Sequence, residues 1–405
     1  MPSVLAWLDH DEAERRRMQE VIELFRERET VDELGIGSIR DAFSNLLFPG
    51  TSVLQSRARY FLFIPWIYLN LERRQVSSVE VAARARRDEI RLIRALIAGG
   101  EGDGSGVIGV AAQDQLKLLP SQAYWNGLEV LGIRLFHGAG DRYHRSLDGY
   151  YRWLSDLPKS EGGEPVEGLR PNWHPGIPAP PDRFLEESSF ELAQADAAYL
   201  KERIHASAPG SLLDVLVSRA RPTRKVPFAW LHPDVAKLPP SLAESLEFAR
   251  VFSEVIYGAN LLYNLMLAER RAFEERKAEY RSQLQEWVSQ VEVPPSWNSD
   301  KFWAVALLSN PRIRLPTRQF VMKWFSFVEE LGPRIIDESG PRDLIRDRER
   351  ANKGSQARLH NRRALELWTG GAGALQLTYR WPVVERMVND ILRGVSSHNR
   401  SDAGA

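Results

Sequence analysis

Hydrophobic side chains recur at helical spacing along most of the chain. In residues 11–28 they are Met18, Val21, Ile22 and Phe25, spaced three and four apart as on one face of an α-helix. The same spacing predicts helices over residues 36–48, 79–98, 120–133, 146–154, 189–205, 211–219, 300–309, 316–331 and 381–392. A further helix is expected to begin near Thr51 and to be kinked or ended by Pro65. The pattern is that of a mainly α protein.

The longest uninterrupted helical pattern covers residues 241–291, which contain no proline and a single glycine, Gly258. The pattern is compatible with one long helix or with two helices that bend near Gly258. Its first half is apolar and its second half is mostly charged. We therefore expect the first half to be buried and the second to project, or to pack along one stripe.

The spacing of breaks and turns predicts two helical domains. A stretch rich in proline and glycine, residues 157–183, separates the halves and is typical of a linker. The expected organisation is an N-terminal domain over 1–156, a C-terminal domain over 184–395, and a polar tail over 396–405. The strand signals are few and short, and the best are residues 107–110 and 375–379. The helix over 121–133 and the glycine-containing turn after it are compatible with a helix-turn-helix element.

Composition narrows the class of protein. The chain has 405 residues, is 43% hydrophobic and 27% charged, and carries 54 basic and 54 acidic side chains. These values indicate a globular protein and argue against a wholly basic nucleic-acid coat. The absence of cysteine excludes disulfides, thiolate metal sites and a cysteine nucleophile, and agrees with a reducing cytoplasm. The chain has 45 arginines and nine lysines. A G+C-rich genome would explain this excess of arginine, and so would many contacts to planar anions such as carboxylate or phosphate.

No membrane or export signal is expected. Residues 1–10 lack the basic and apolar regions of a signal peptide. The longest apolar run, residues 60–69, is half of the roughly twenty residues that a membrane-spanning helix needs. The sequence therefore predicts a cytoplasmic protein without a membrane partner.

Motifs that carry chemistry are weak or misplaced. Residues 104–109 match G-x-G-x-x-G, but a predicted helix precedes them, where a dinucleotide site needs a strand. Residues 275–277 have the E-x-K spacing of a nuclease but lie in a charged helical run. The histidines form no H-x-x-x-H pair. The sequence thus predicts no cofactor and no metal, and leaves enzymatic activity open.

Residues 341–363, the basic segment, are the most basic part of the chain, with eight cations and three acids. A surface that neutralises phosphates needs such an excess of cations. A solvated loop with internal salt bridges is the alternative. The residues that we expect to contact nucleic acid are Arg346, Arg350, Lys353, Arg358, Arg362 and Arg363.

A second candidate surface covers residues 124–153. Tyrosine and tryptophan side chains alternate there with Arg134, Arg142, Arg145 and Arg152, and aromatic residues mixed with arginine can stack on bases. The alternative is a pair of packed helices whose tyrosine and tryptophan tips reach water.

Motifs at both ends of the chain resemble one bacterial family, catalogued as domain of unknown function 6361. They are residues 7–9 (WLD), 35–43 (GIGSIRDAF), 48–52 (FPGTS), 55–61 (QSRARYF), 357–361 (ARLHN), 368–370 (WTG) and 379–381 (YRW). The resemblance covers essentially the whole chain and carries no catalytic residue. It implies a context: such proteins look like companions of helicases and phospholipase-D-like nucleases in bacterial defence systems.

The N-terminal motifs also have a physical interpretation. Their polar residues stand among large apolar ones, and a buried charge without a partner costs several kcal/mol. A structural arginine–aspartate network is therefore our first interpretation, and a phosphate-binding notch near Thr51 is the second. The residues concerned are Arg40, Asp41, Gln55, Arg57 and Arg59.

Three hypotheses for function follow. The first is a non-catalytic nucleic-acid-binding or adaptor subunit of a bacterial antiphage defence assembly, with helicase or nuclease subunits as partners. The second is a protein–protein scaffold without nucleic-acid contact. The third is an enzyme of unrecognised type with a site around Arg40–Arg59.

Overall fold

A computed structural model describes residues 32–102, 104–156, 171–219, 222 and 224–396. The helix predicted over 11–28, most of the linker and the tail beyond 396 lie outside these residues. The described residues form fourteen α-helices: α1 Gly37–Leu47, α2 Tyr60–Arg73, α3 Val81–Ala98, α4 Pro120–Val130, α5 Gly140–Asp156, α6 Gln194–Ser207, α7 Leu212–Val217, α8 Pro240–Arg271, α9 Glu274–Gln290, α10 Ser299–Ser309, α11 Leu315–Leu331, α12 Ser339–Lys353, α13 Arg362–Glu366 and α14 Trp381–Ser396. The protein is mainly α, as predicted.

The predicted strands were wrong. Residues 107–110 form turns and residues 375–379 form no regular structure, and within the described chain the only β pairing is an isolated bridge between Arg134 and Trp173. A short apolar run becomes a strand only when a neighbour accepts its backbone hydrogen bonds. Gly106 and Gly109, which both have positive φ, turn the backbone within the first run instead.

The helix expected from Thr51 was also placed wrongly. It begins at Tyr60 and continues through Pro65 to Arg73. Ten of its fourteen residues are buried, so packing offsets the loss of the hydrogen bond that a proline removes.

Two compact units make up the chain, and each combines two separate stretches. The first contains Met1–Leu46 and Phe228–Tyr379, and the second contains Leu47–Pro227 and Arg380–Ala405. Each unit therefore takes residues from both halves of the chain, and the division into sequential domains stays a prediction.

The first unit is organised around α8. This helix is in contact with α9, α10, α11, α12 and α13. Aromatic rings link the neighbours: Phe302 of α10 stacks on Phe252 of α8, with ring centroids 5.5 Å apart, and on Phe43 of α1 at 5.4 Å. The side chains that enclose α8 come from helices far apart in sequence.

The long helical pattern resolves into two helices, α8 and α9. The break lies at Ala272, which has φ of 54°, and not at Gly258, which lies inside α8. Residues of α8 from Val251 to Ala268 are almost all buried, and α9 buries a single stripe formed by Tyr280, Leu284 and Trp287. The expected difference between the two halves is therefore present in the structure.

Among the described helices, α8 alone has the length and mean hydropathy that a membrane span would need. Of its apolar window, 89% is buried within the protein. The helix thus has the surroundings of a core helix.

The second unit joins α2–α7 to α14. Helix α2 packs on α3 and α4, and α14 packs on α6 and α7. Helices α4 and α5, the candidate helix-turn-helix, are separated by residues 131–139, a longer connection than the three or four residues usual in that motif.

Candidate functional site

The basic segment is helical rather than a loop. It occupies α12, a short 3-10 turn at Gly354–Gln356, and α13. Each cation of the segment therefore lies on a particular face of α12 or α13 or in the turns between them. The residues packed against that position determine whether the cation is available to a ligand.

Two of the six predicted cations are held by one buried acid. Glu33, whose side chain is 1% exposed, forms ion pairs with Lys353 and with Arg358, the latter at 2.6 Å. Tyr263 of α8 donates a hydrogen bond at 2.6 Å to Glu349 beside them. The two cations therefore neutralise a buried carboxylate and attach the chain before α1 to the end of α12.

Arg348, between the predicted cations, is structural. Its guanidinium donates to the carbonyls of Leu34 and Gly35 at 2.7 and 2.9 Å and to the hydroxyl of Thr317 at 2.8 Å. Burial lowers the pKa of Arg348. A Cβ on Gly35, which has φ of 66°, would lie 2.6 Å from this guanidinium. The family glycine at position 35 therefore makes room for Arg348.

The other four predicted cations face solvent. Arg346 is half-exposed beside Asp343, and Arg362 is 90% exposed although it pairs with Glu366 at 3.3 Å. Arg350 and Arg363 are exposed, and the described residues offer neither an ion-pair partner. These four arginines are the part of the basic segment that remains available to an anion.

Arg57 of the N-terminal motifs binds the C-terminal helix of its unit. Its guanidinium donates two hydrogen bonds to Asp390 of α14, at 2.8 and 2.9 Å, and one to the carbonyl of Ser105 at 2.7 Å. The group also lies 4.4 Å from the ring centroid of Phe190. Asp390 is 4% exposed, so the pair connects the 55–61 motif to the C-terminal helix α14 inside the second unit.

Arg59 is enclosed in the same way. It donates to the carbonyl of Ser189 at 2.9 Å and pairs with Asp196 of α6 at 3.4 Å. Burial lowers the pKa of Arg59, and the charge of Asp196 opposes that shift. Arg57 and Arg59 thus form arginine–aspartate pairs, as in our first interpretation. The second interpretation, a phosphate-binding notch, relied on a helix that begins near Thr51, and no helix begins there.

The remaining residues of the N-terminal motifs also bond within the protein. Gln55 is buried, donates to the carbonyl of Gly50 at 3.2 Å and accepts from the backbone N–H of Ser52 at 3.1 Å. Arg40 and Asp41 are partly exposed and pair with each other at 3.1 Å. The partners of Arg57 and Arg59 are Asp390 and Asp196 rather than Asp41, which sequence proximity would have suggested.

The aromatic residues of 124–153 are buried or partly buried in the second unit, apart from Trp153, which is exposed. Tyr143 is fully buried and donates a hydrogen bond to Glu72, which also accepts from the indole of Trp173 at 3.1 Å. Burial raises the pKa of Glu72. Arg134 is 1% exposed and pairs with Glu129 at 2.5 Å. This region has the packed-helix arrangement, with its more exposed residues along α5.

One cationic surface had no counterpart among the sequence expectations. Arg84, Arg87, Arg91 and Arg94 of α3 lie on its solvent side, and we call them the arginine row. Their spacing of three, four and three residues places them on one helical face. That spacing is visible in the sequence, where residues 81–98 contain five arginines and two acids.

The described residues contain no group of three or more His, Asp and Glu side chains arranged to hold a metal ion. The chemistry that this part of the molecule displays most clearly is therefore that of guanidinium groups, some enclosed in ion pairs and others exposed.

The chain belongs to a family of unknown function, DUF6361, whose model matches residues 2–394. The resemblance inferred from the terminal motifs is thereby confirmed. No curated protein and no solved structure matches the chain.

Proposed function

We propose that the protein is a non-catalytic nucleic-acid-binding or adaptor subunit of a bacterial antiphage defence assembly. The observation that carries the nucleic-acid part is the set of exposed arginines on α12 and α13. The defence context, with helicase or nuclease subunits as partners, comes from the family resemblance.

The exposed arginines suit contact with a phosphate backbone. Arg346 and Arg350 lie one turn apart on α12, and Arg362 and Arg363 begin α13. Each phosphate that a cation neutralises releases counterions, so binding of this kind weakens steeply with salt. Nearby Asp343 and Asp347 reduce the local positive charge, so we expect a modest affinity. Contacts to phosphate carry no sequence information, so we expect binding that does not depend on base sequence.

The test replaces the four exposed arginines and leaves the structural cations in place. Changing Arg346, Arg350, Arg362 and Arg363 to Gln should weaken binding to DNA or RNA roughly 10- to 100-fold at about 0.1 M salt and make the salt dependence less steep. Lys353 and Arg358 are kept because they neutralise Glu33. Fluorescence anisotropy across a salt titration measures both quantities.

A matched control removes the same charge elsewhere. Arg314, Arg334, Arg386 and Arg393 are exposed arginines outside the basic segment, and their replacement by Gln should leave affinity near that of the parent. Equal affinity of parent and test variant would remove the basic segment from the proposal. Absence of binding by the parent at low salt would remove the nucleic-acid proposal itself.

A protein partner is the second candidate, and exposed apolar side chains favour it. Leu315 is 61% exposed and Met322 is 52% exposed, and they lie two turns apart along α11. Leu308 at the end of α10 is 86% exposed. Apolar side chains of this kind lose water favourably when a partner covers them.

The partner hypothesis is tested with a helicase or nuclease subunit from the same defence locus, after nuclease treatment. Co-purification that is lost when Leu315 and Met322 are changed to Ser would support the adaptor role. Co-purification that survives in that double variant would exclude this surface.

A further inference from the structure

The arginine row is a second cationic surface, on a different unit from the basic segment. Arg84 and Arg94 are ten residues apart in α3, which is about 15 Å at the rise of an α-helix. The opposite face of the helix is fully buried through Val81, Leu92 and Leu96. The row therefore stands on a rigid element whose orientation is set by the core of its unit.

Two arginines at the end of α2 extend this surface. Arg73 and Arg74 are exposed. Arg74 lies near Asp88 of α3 together with Arg84, Arg87 and Arg91: burial raises the pKa of Asp88, and these four charges oppose that shift. The cations of α2 and α3 thus form one cluster rather than two separate sets.

Acidic neighbours occupy only part of the cluster. Arg84 pairs with Glu80 at 2.9 Å and Arg94 with Asp114 at 2.7 Å, while Arg91 and Glu186 are 3.9 Å apart. All of these side chains are exposed, and exposed ion pairs contribute little to stability, so an incoming anion can replace the acidic partners at little cost. Arg73, Arg74 and Arg87 are exposed and have no ion pair within the described residues.

A groove runs beside the cluster. It encloses about 330 Å³ between α2, α3 and the proline-containing segment from Ile177 to Glu186, and Arg73 and Arg91 are on its walls. The two aromatic residues that line it are turned into the core, Trp66 being 2% and Phe184 8% exposed.

The burial of Trp66 and Phe184 favours a duplex over a single strand as the ligand. Single-stranded nucleic acid is held largely by bases stacked on exposed aromatic rings, which the walls of this groove do not offer. A duplex presents a dense, regular line of phosphates, about one charge per 1.7 Å of its axis. A rigid line of arginines complements that line.

We propose that the arginine row, together with Arg73 and Arg74, binds the sugar–phosphate backbone of a nucleic-acid duplex. This rests on the proposed function and assigns a second surface and a duplex ligand to it. The contacts are to phosphate, so they position the protein on a duplex without selecting a base sequence.

The experiment changes four arginines that no acidic side chain holds closely. In the full chain, Arg73, Arg74, Arg87 and Arg91 become Gln, while Arg84 and Arg94 keep their ion pairs. Binding is measured by anisotropy on a 20-base-pair DNA duplex, the equivalent RNA duplex and a 20-nucleotide single strand, across a salt titration. We expect duplex affinity to fall roughly 10- to 100-fold at about 0.1 M salt, and the slope against salt to decrease by about three.

The control is the variant of Arg314, Arg334, Arg386 and Arg393, which carries the same change of charge. Its duplex affinity should stay near that of the parent, and thermal unfolding should show both variants folded. Equal weakening in control and test variants would mean that net charge alone acts, and would overturn the assignment of α3.

The two proposals fail in different ways. If the parent binds no nucleic acid, both fail. If it binds and only the basic-segment variant weakens, the inference on α3 fails and the proposed function stands. If the parent prefers the single strand, the duplex assignment is overturned, and the DNA and RNA arms show which duplex the backbone contact accepts.

Discussion

Glu89 differs in its neighbours from Asp390 and Asp196, two other buried acids of the described chain. Asp390 and Asp196 face the guanidinium groups of Arg57 and Arg59. Glu89 is fully buried and accepts two hydrogen bonds, both at 2.8 Å, from the backbone N–H and the hydroxyl of Ser121 at the start of α4. Burial exceeds the effect of these donors and raises the pKa of Glu89 to about 7.

This pKa predicts a dependence of stability on pH. In the unfolded chain a glutamate releases its proton near pH 4.3, whereas folded Glu89 keeps it to about pH 7. Between these values the folded state binds more protons, so the free energy of unfolding decreases as the pH rises, by roughly 3–4 kcal/mol in total. Replacing Glu89 with Gln should remove this contribution, as urea denaturation between pH 5 and pH 8 would show.

Glu80 provides the matched control, because its side chain is 56% exposed. Glu80→Gln should leave the pH profile parallel to that of the parent. A Glu89→Gln profile that is also parallel would mean that Glu89 is charged in the folded protein at neutral pH.

At the scale of elements, the hairpin of α8 and α9 depends on one glycine. A Cβ on Gly258 would lie 2.2 Å from the indole ring of Trp287 in α9. The indole is fixed by a hydrogen bond of 2.8 Å to the carbonyl of Glu254. Gly258 therefore marks the close approach of two helices, although from the sequence it resembled a bend.

Gly258→Ala should destabilise the protein. The methyl group gains about 1 kcal/mol of helix propensity, but the displacement of a fixed tryptophan costs about 1–3 kcal/mol or more. We expect a net loss of up to about 2 kcal/mol in the free energy of unfolding, measured by urea denaturation.

Gly149 of α5 is the control, because a Cβ there meets no atom within 4 Å. Gly149→Ala should stabilise by roughly 0.5–1 kcal/mol. If both alanine variants are stabilised, the indole of Trp287 moves aside at less cost in free energy than its packing indicates, and the prediction is wrong.

At the scale of the whole molecule, each compact unit depends on residues from distant parts of the chain. The second unit is completed by α14, which packs on α6 and α7 and brings Asp390 to Arg57. Trp381 of the same helix donates to the carbonyl of Val226 at 2.9 Å.

Removal of residues 380–405 should therefore disrupt the second unit although most of its residues remain. It would expose the buried partners of α14 and leave Arg57 without its anion, a loss of at least several kcal/mol. Limited proteolysis should then cut within residues 47–227. A truncation that removes only 397–405 keeps α14 and should retain protease resistance. Equal resistance of both truncations would contradict the dependence on α14.

Local pattern was enough to predict most helices and the buried character of α8. A helix that packs on one side repeats its apolar residues every three to four positions, and this information is present in the sequence itself. The sequence also showed that the first half of residues 241–291 is apolar and the second half charged, which corresponds to α8 and α9. It did not show where the two helices separate, because the junction at Ala272 contains no glycine or proline.

The sequence by itself determined that this is a mainly α protein of the DUF6361 family with a basic segment near its C-terminal end. Only the tertiary structure decided which cations are available. Lys353 and Arg358 are neutralised by Glu33, more than three hundred positions earlier, while the arginine row of α3 stays exposed. The physical reason is that the availability of a charge depends on its neighbours in space, which helical periodicity does not encode.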